Sequence, residues 1–232
     1  MGERTGIGWT DKTWNPWHGC HRVSPGCDNC YMFAGKKQYG QDPDQVVRSK
    51  TRFMDPLRWK DPARVFTCSW SDFFIAEADA WRPEAWDIIR RTPHLTYQIL
   101  TKRPSRIASH MPDAWASDPW MNVQLGTSIE SRKYLHRADV LVKTPAALLF
   151  LSLEPLLEDL GDIDLGLIGW VIVGGESGPN RRPFEIAWLE RIADRCARFG
   201  VPLFVKQGSA QRPGQQGDIP DHLWAIKEFP RA

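Results

Sequence analysis

Six apolar, β-prone runs recur along the chain: RVFTCSW (64–70), LTYQILTKR (95–103), NVQLGTSIE (122–130), LLFLSLEP (148–155), WVIVGGESG (170–178) and PLFVKQG (202–208). Their spacing of roughly 25 to 30 residues is that of a strand plus a returning helix. Helical patterns fill several of the intervals. RPEAWDIIRR (82–91) has Pro83 near its start, SRKYLHRADVLVK (131–143) opens on Ser131 as a candidate cap, and PFEIAWLERIADRCARFG (183–200) runs from Pro183 to Gly200. In the last, Ile186, Leu189, Ile192, Ala193 and Cys196 share one face, which predicts Cys196 in the core. The Gly- and Asp-rich stretch 156–169 predicts a long loop, and SAQRPGQQGDIP (209–220) an exposed loop or arm.

These repeated units, with a further strand ahead of the first cysteine, predict an α/β fold: a full or partial (β/α) TIM-type barrel with an N-terminal cysteine loop. A chain of 232 residues suits one domain. Within it, residues 1–63 hold the cysteine loop and a basic segment, 64–208 the barrel units and 209–232 a C-terminal arm. Every run closes on polar chemistry: Ser69, Ser71 and Asp72; Thr101, Lys102 and Arg103; Thr127, Ser128 and Glu130; Ser152 and Glu154; Glu176; Lys206 and Gln207. In a parallel barrel these ends share the rim that carries active sites. Asp72, Lys102, Arg103, Glu130, Glu154 and Lys206 are therefore the candidate catalytic residues.

Charge adds a local feature to that frame. The formal net charge is only +2, yet residues 36–64 carry Lys36, Lys37, Arg48, Lys50, Arg52, Arg58, Lys60 and Arg64 against four aspartates, a local net of +4. Phe53 and Trp59 lie among them, an interleaving suited to phosphate contacts beside base stacking. The chain holds twelve tryptophans, and Trp14, Trp17 or Trp70 could stack on an unstacked base instead of packing the core. No charged leader followed by an apolar run opens the sequence, and no apolar run reaches the roughly 18 residues of a membrane span, which predicts a cytoplasmic protein away from membranes.

In a reducing compartment five cysteines favour metal ligation or reactivity over disulfides. Three of them, Cys20, Cys27 and Cys30, fall in HGCHRVSPGCDNCYMF (18–33). Three identities fit: zinc completed by His18 or His21, a four-iron cluster with one open iron, or a redox pair within CDNC. The turn-like VSPG before Cys27 speaks against the redox pair, and the spacing leaves zinc and iron both open. VIVGGESGPNRRP (171–183) adds a strand followed by Gly174, Gly175 and Glu176, with Arg181 and Arg182 beyond. Glycines allow close approach of a ligand to backbone, a carboxylate can accept from an ammonium, and guanidinium groups can meet a carboxylate or phosphate.

TGIGWTDKTWNPWHGC, VSPGCDNCY, YQILTKRP, LGTSIES, FLSLEPLL, WVIVGGESGPNRRP and LFVKQGS occur in this order. Together they resemble a phage-named family of uncharacterised three-cysteine-motif proteins, similar to a distant branch of the radical S-adenosylmethionine enzymes and related to spore photoproduct lyase, which repairs a thymine photoproduct in DNA. The resemblance implies a 4Fe-4S cluster on Cys20, Cys27 and Cys30, with S-adenosylmethionine on the open iron. It implies that Gly174, Gly175 and Glu176 contact the cofactor's ammonium, that Ser128 and Arg181 make further polar contacts, and that Tyr31 serves as an aromatic cover. It also implies nucleic acid, DNA above all, as substrate, and a separate three-Cys-motif partner protein. The competing expectations are a zinc-stabilised, non-catalytic nucleic-acid or protein binding module, and a metal-dependent hydrolase using Asp72, Glu130, Glu154 and Glu176 as oxygen ligands.

Overall fold

The computed structural model describes residues 5–113 and 115–230. Its strands are β1 (Lys12–Trp14), β2 (Trp17–His18), β3 (Val47–Arg48), β4 (Ala63–Thr67), β5 (Leu95–Thr101), β6 (Val123–Ser128), β7 (Leu148–Leu153), β8 (Trp170–Gly174) and β9 (Leu203–Gln207). The helices are α1 (Tyr31–Gln38), α2 (Arg82–Arg91), α3 (His136–Leu141), α4 (Ile186–Phe199) and α5 (Asp221–Trp224). Seven strands form one wholly parallel sheet in the order β1-β4-β5-β6-β7-β8-β9, which curls into a half-barrel; β2 and β3 pair antiparallel beside it. The expected α/β class and parallel, barrel-like sheet are therefore present, and the first and last strands of the sheet do not pair with each other.

The period-2 alternation of each strand sends its side chains to opposite faces. One set, with Val65, Ile99, Leu125, Leu151, Val171 and Val205, merges with Ile88 and Ile89 of α2, Leu141 of α3 and Leu189, Ile192 and Cys196 of α4 into the large core. The other set forms a small core on the concave face, where Trp9, Phe150, Trp170, Ile172 and Phe204 meet Phe66 and Leu100. The seam of the half-barrel is covered by both ends of the chain. Gly8 lies against the Phe204 ring, Val205 N–H donates to Ile226 O at 3.0 Å, and Glu228 N–H donates to Leu203 O at 2.9 Å. These bonds satisfy backbone groups that an edge strand would otherwise present.

The α2 run is helical over the expected residues, and α4 ends on Gly200 at φ 66°, a left-handed cap that glycine adopts without steric cost. The 131–143 run is less regular than its pattern predicts. Ser131 makes no side-chain cap, a 3-10 turn spans Arg132–Tyr134, and α3 has only six residues, with Arg137 donating inward to Ser128 O and Glu130. Residues 156–169 form no strand or helix, as expected. Helix α1 was not legible from its pattern; Gly35 sits at its centre, where a Cβ would lie 2.9 Å from the Trp70 ring. Among the described residues no helix is long and apolar enough to cross a membrane.

The concave core is tightest where the Phe150 ring covers Gly126, so that a Cβ there would come within 2.4 Å of ring carbon. Gly126→Ala is expected to lower unfolding free energy by about 1–3 kcal/mol through overpacking, read from urea denaturation. An unchanged urea midpoint would show that Phe150 can move aside.

Candidate functional site: a thiol-lined cavity at the sheet rim

Beyond β4 the chain turns sharply at Cys68, whose φ of 62° makes it the one non-glycine residue in the left-handed region among the described residues. The turn delivers Ser69, Trp70, Ser71 and Asp72 as a shelf for the cysteine loop. Gly19 N–H donates to Trp70 O at 3.0 Å, the Ser71 hydroxyl to Gly19 O at 2.6 Å, and the Tyr31 hydroxyl to Ser69 O. Cys27 ends the 3-10 turn Pro25–Cys27, and Cys30 is the N-cap of α1, with the Met32 and Phe33 N–H groups directed at its sulfur. Cys20, Cys27 and Cys30 all line one cavity of about 620 Å³ that opens at the C-terminal rim of the sheet.

Two carboxylate–guanidinium pairs fasten this loop. Asp72 accepts four hydrogen bonds: from Phe74 N–H (2.9 Å) and the Thr101 hydroxyl (2.7 Å) on Oδ1, and from Lys102 N–H (2.9 Å) and Arg103 Nη1 (3.1 Å) on Oδ2. Arg103, so oriented, donates to Cys20 Sγ at 3.7 Å and to His21 O at 3.0 Å. On the other side Arg182 grips Glu176 through Nε at 3.0 Å, Nη2 at 2.5 Å and its own N–H at 2.9 Å, and reaches Pro25 O at 2.8 Å. Asn29 adds a bond to Glu176 Oε2 at 2.9 Å. Burial alone would raise the Glu176 carboxyl; the hydrogen bonds from Arg182 and Asn29 outweigh it and hold the group below the usual range.

Several expected site residues are already engaged within the fold. Asp72 lines the cavity with both oxygens committed to hydrogen bonds. Glu176 also lines it and is bound by a guanidinium from its own loop. Glu130 is fully buried beneath Gly26, paired with Arg137 at 3.0 Å and Lys102 at 3.8 Å, and is not among the cavity-lining residues. Arg181 turns outward to Gln211 at 3.1 Å, and Gly174 likewise lies outside the cavity lining. Gly175 does line it, and a Cβ there would strike Ser209 N at 2.7 Å, so closeness to the loop after β9 accounts for this glycine. Lys102, Arg103, Ser128, Glu154, Lys206 and Tyr31 line the cavity as expected, with Glu154 and Lys206 joined as an ion pair.

The donor set suits a soft metal or iron–sulfur group: three thiols open onto one cavity and are near enough for the charge on Cys27 to act on Cys20 and Cys30. Among the described residues no three His, Cys, Asp or Glu side chains already converge as a ligand set, so ligation would draw the loop tighter. Burial pushes the Cys20 thiol up to about 12 and raises Cys30, so metal ligation there would require displacing a proton from each. Of the two imidazoles expected to complete a zinc site, His21 is engaged at Nε2 by Glu77 and lies 3.8 Å from Asp44 at Nδ1, whereas the buried Nδ1 of His18 has no hydrogen-bond partner among the described residues.

The basic segment is largely neutralised within the fold. Arg48 pairs with Glu84, Arg52 and Arg58 with Asp55, Arg64 with Asp11, and Lys36 is buried against Gln45 O, leaving Lys37, Lys50 and Lys60 as its exposed lysines. Trp14 and Trp17 are core residues, whereas Trp70 lines the cavity. Asn29, Trp224 and Lys227 belong to the site or its cavity and carried no sequence signal, because their partners lie on distant segments.

Fold and site together define a parallel α/β half-barrel whose rim cavity is lined by a clamped three-cysteine loop. The chain belongs to the family described as protein of unknown function DUF5131, whose model matches residues 4–219. No curated protein and no solved structure matches it.

Replacing Arg182 by Met leaves the burial of Glu176 less opposed, so its pKa is expected to rise, read from NMR titration of the side-chain carboxyl carbon. In the wild type this carboxylate contributes stability above its unfolded value of about 4.3, a contribution lost as pH falls through the lower folded value. The variant should show a weaker acid dependence; an unmoved titration would mean that Asn29 and backbone N–H groups suffice.

Proposed function

We propose that this protein is an iron–sulfur enzyme of the radical S-adenosylmethionine type, built on a partial TIM-type barrel, cytoplasmic, and acting on nucleic acid in base or photolesion repair or modification, with DNA favoured. The observation that carries this reading is the opening of Cys20, Cys27 and Cys30 onto one large cavity at the C-terminal rim of a parallel sheet. A 4Fe-4S cluster with S-adenosylmethionine would supply reductively initiated hydrogen abstraction. The resemblance in sequence supports that choice over zinc.

In this reading the three thiolates hold the cluster, while Arg103 and the N–H groups at the start of α1 donate toward sulfur, an arrangement that stabilises negative charge and tunes reduction potential. Gly175, Glu176 and Ser128 line the cavity and are the groups proposed to meet the cofactor's polar atoms. Lys102, Arg103 and Lys206 place positive charge at the rim for a polyanionic substrate, and Trp70 offers the ring for an unstacked base. A separate three-Cys-motif protein remains the proposed partner.

Anaerobic reconstitution is the test. The wild-type chain is expected to take up about four irons with matching sulfide, and Cys20→Ser, Cys27→Ser and Cys30→Ser each to lose the cluster, measured by metal analysis and Mössbauer spectroscopy. A colourless protein that retains one zinc and refuses iron would replace the enzyme with the binding module.

A further inference from the structure

The cavity continues below the rim to the seam between β1 and β9. There Ile7, Gly8 and Trp9 approach from the N-terminal side and Trp224 and Lys227 from the C-terminal side, with Phe66, Leu100 and Phe204 as the wall. The half-buried Lys227 Nζ lies 3.3 Å from the centre of the Trp224 ring and 5.3 Å from that of Phe204, and it donates to Val205 O. Its amine is lowered to about 8 by burial alone. Among the described residues no carboxylate forms an ion pair with it, in contrast to Lys206, which has Glu154, and Lys102, which has Glu130.

A cation withdrawn from water and offered only a carbonyl and two ring faces gains from an incoming anion, which restores the lost electrostatic stabilisation. The apolar wall beside it suits a flat ring better than a bare inorganic ion. We propose that the seam end of the cavity is a subsite for a planar aromatic ligand bearing an anionic group, of mononucleotide size, with Lys227 meeting the anion and Phe66, Leu100 and Phe204 receiving the ring. The subsite deepens the reading given above by naming a nucleotide as the class of occupant, yet it uses none of the metal-binding residues.

Calorimetric titration of the metal-free full chain at pH 7 with thymidine 5′-phosphate and with thymidine tests it. The phosphate should tighten binding about tenfold, the worth of one charge-assisted hydrogen bond. Lys227→Met should reduce that advantage to within about twofold, and Lys227→Arg should keep most of it; circular dichroism and thermal unfolding establish that each variant folds, with Lys227→Gln as the substitute if the Met variant does not. Equal affinity for the two compounds, no binding of either, or a phosphate advantage that survives loss of the Lys227 charge would overturn the proposal. Because the titration uses metal-free protein, failure to load iron would overturn the cluster reading and leave this result standing.

Discussion

The cysteine loop has little apolar surface of its own, so its position depends on two buried carboxylates, each holding an arginine against it. Asp72 directs Arg103 to Cys20 Sγ and His21 O; Glu176 directs Arg182 to Pro25 O. Charges removed from water are tolerable only when paired and hydrogen-bonded, and here both carboxylates are saturated. The pairs come from opposite parts of the sheet: Asp72 and Arg103 follow β4 and β5, whereas Glu176 and Arg182 follow β8. The loop is thus tied across the mouth of the half-barrel, not merely to the strand beside it.

That mouth exists because the two faces of the sheet are filled unequally. The convex face meets the helices in a continuous apolar core, while the concave face has a few aromatic rings at depth and polar side chains toward the rim. A closed barrel would fill its interior with layers of side chains; an open one with the small Ser128 and Ser152 side by side toward the rim leaves space. Both chain ends then cover the seam, which makes the C-terminal arm part of the cavity wall.

Charge at the rim is paired within the fold. Asp72, Glu130 and Glu176 are buried and orient their arginine partners. Lys102, Arg103, Glu154 and Lys206 line the cavity, as do Asp72 and Glu176, and each of the four already has an ion-pair partner. The same pairing applies to residues 36–64, where a sequence count of +4 overstates the exposed field because most arginines pair with acids inside and outside the segment.

The sequence by itself determined the parallel α/β plan, the strand positions to within a few residues and the presence of chemistry at strand ends, because alternation and helical periodicity are local and each run carries its own signal. It also marked Cys20, Cys27 and Cys30 as a unit through spacing alone. Which ionisable group faces the cavity was decided only in three dimensions. Asn29 meets Glu176 across 147 residues, Arg103 meets Cys20 across 83, and Lys227 reaches the cavity only when the arm pairs along β9. Burial and partner choice are properties of such long-range contacts, and no local pattern of apolar and polar residues encodes them.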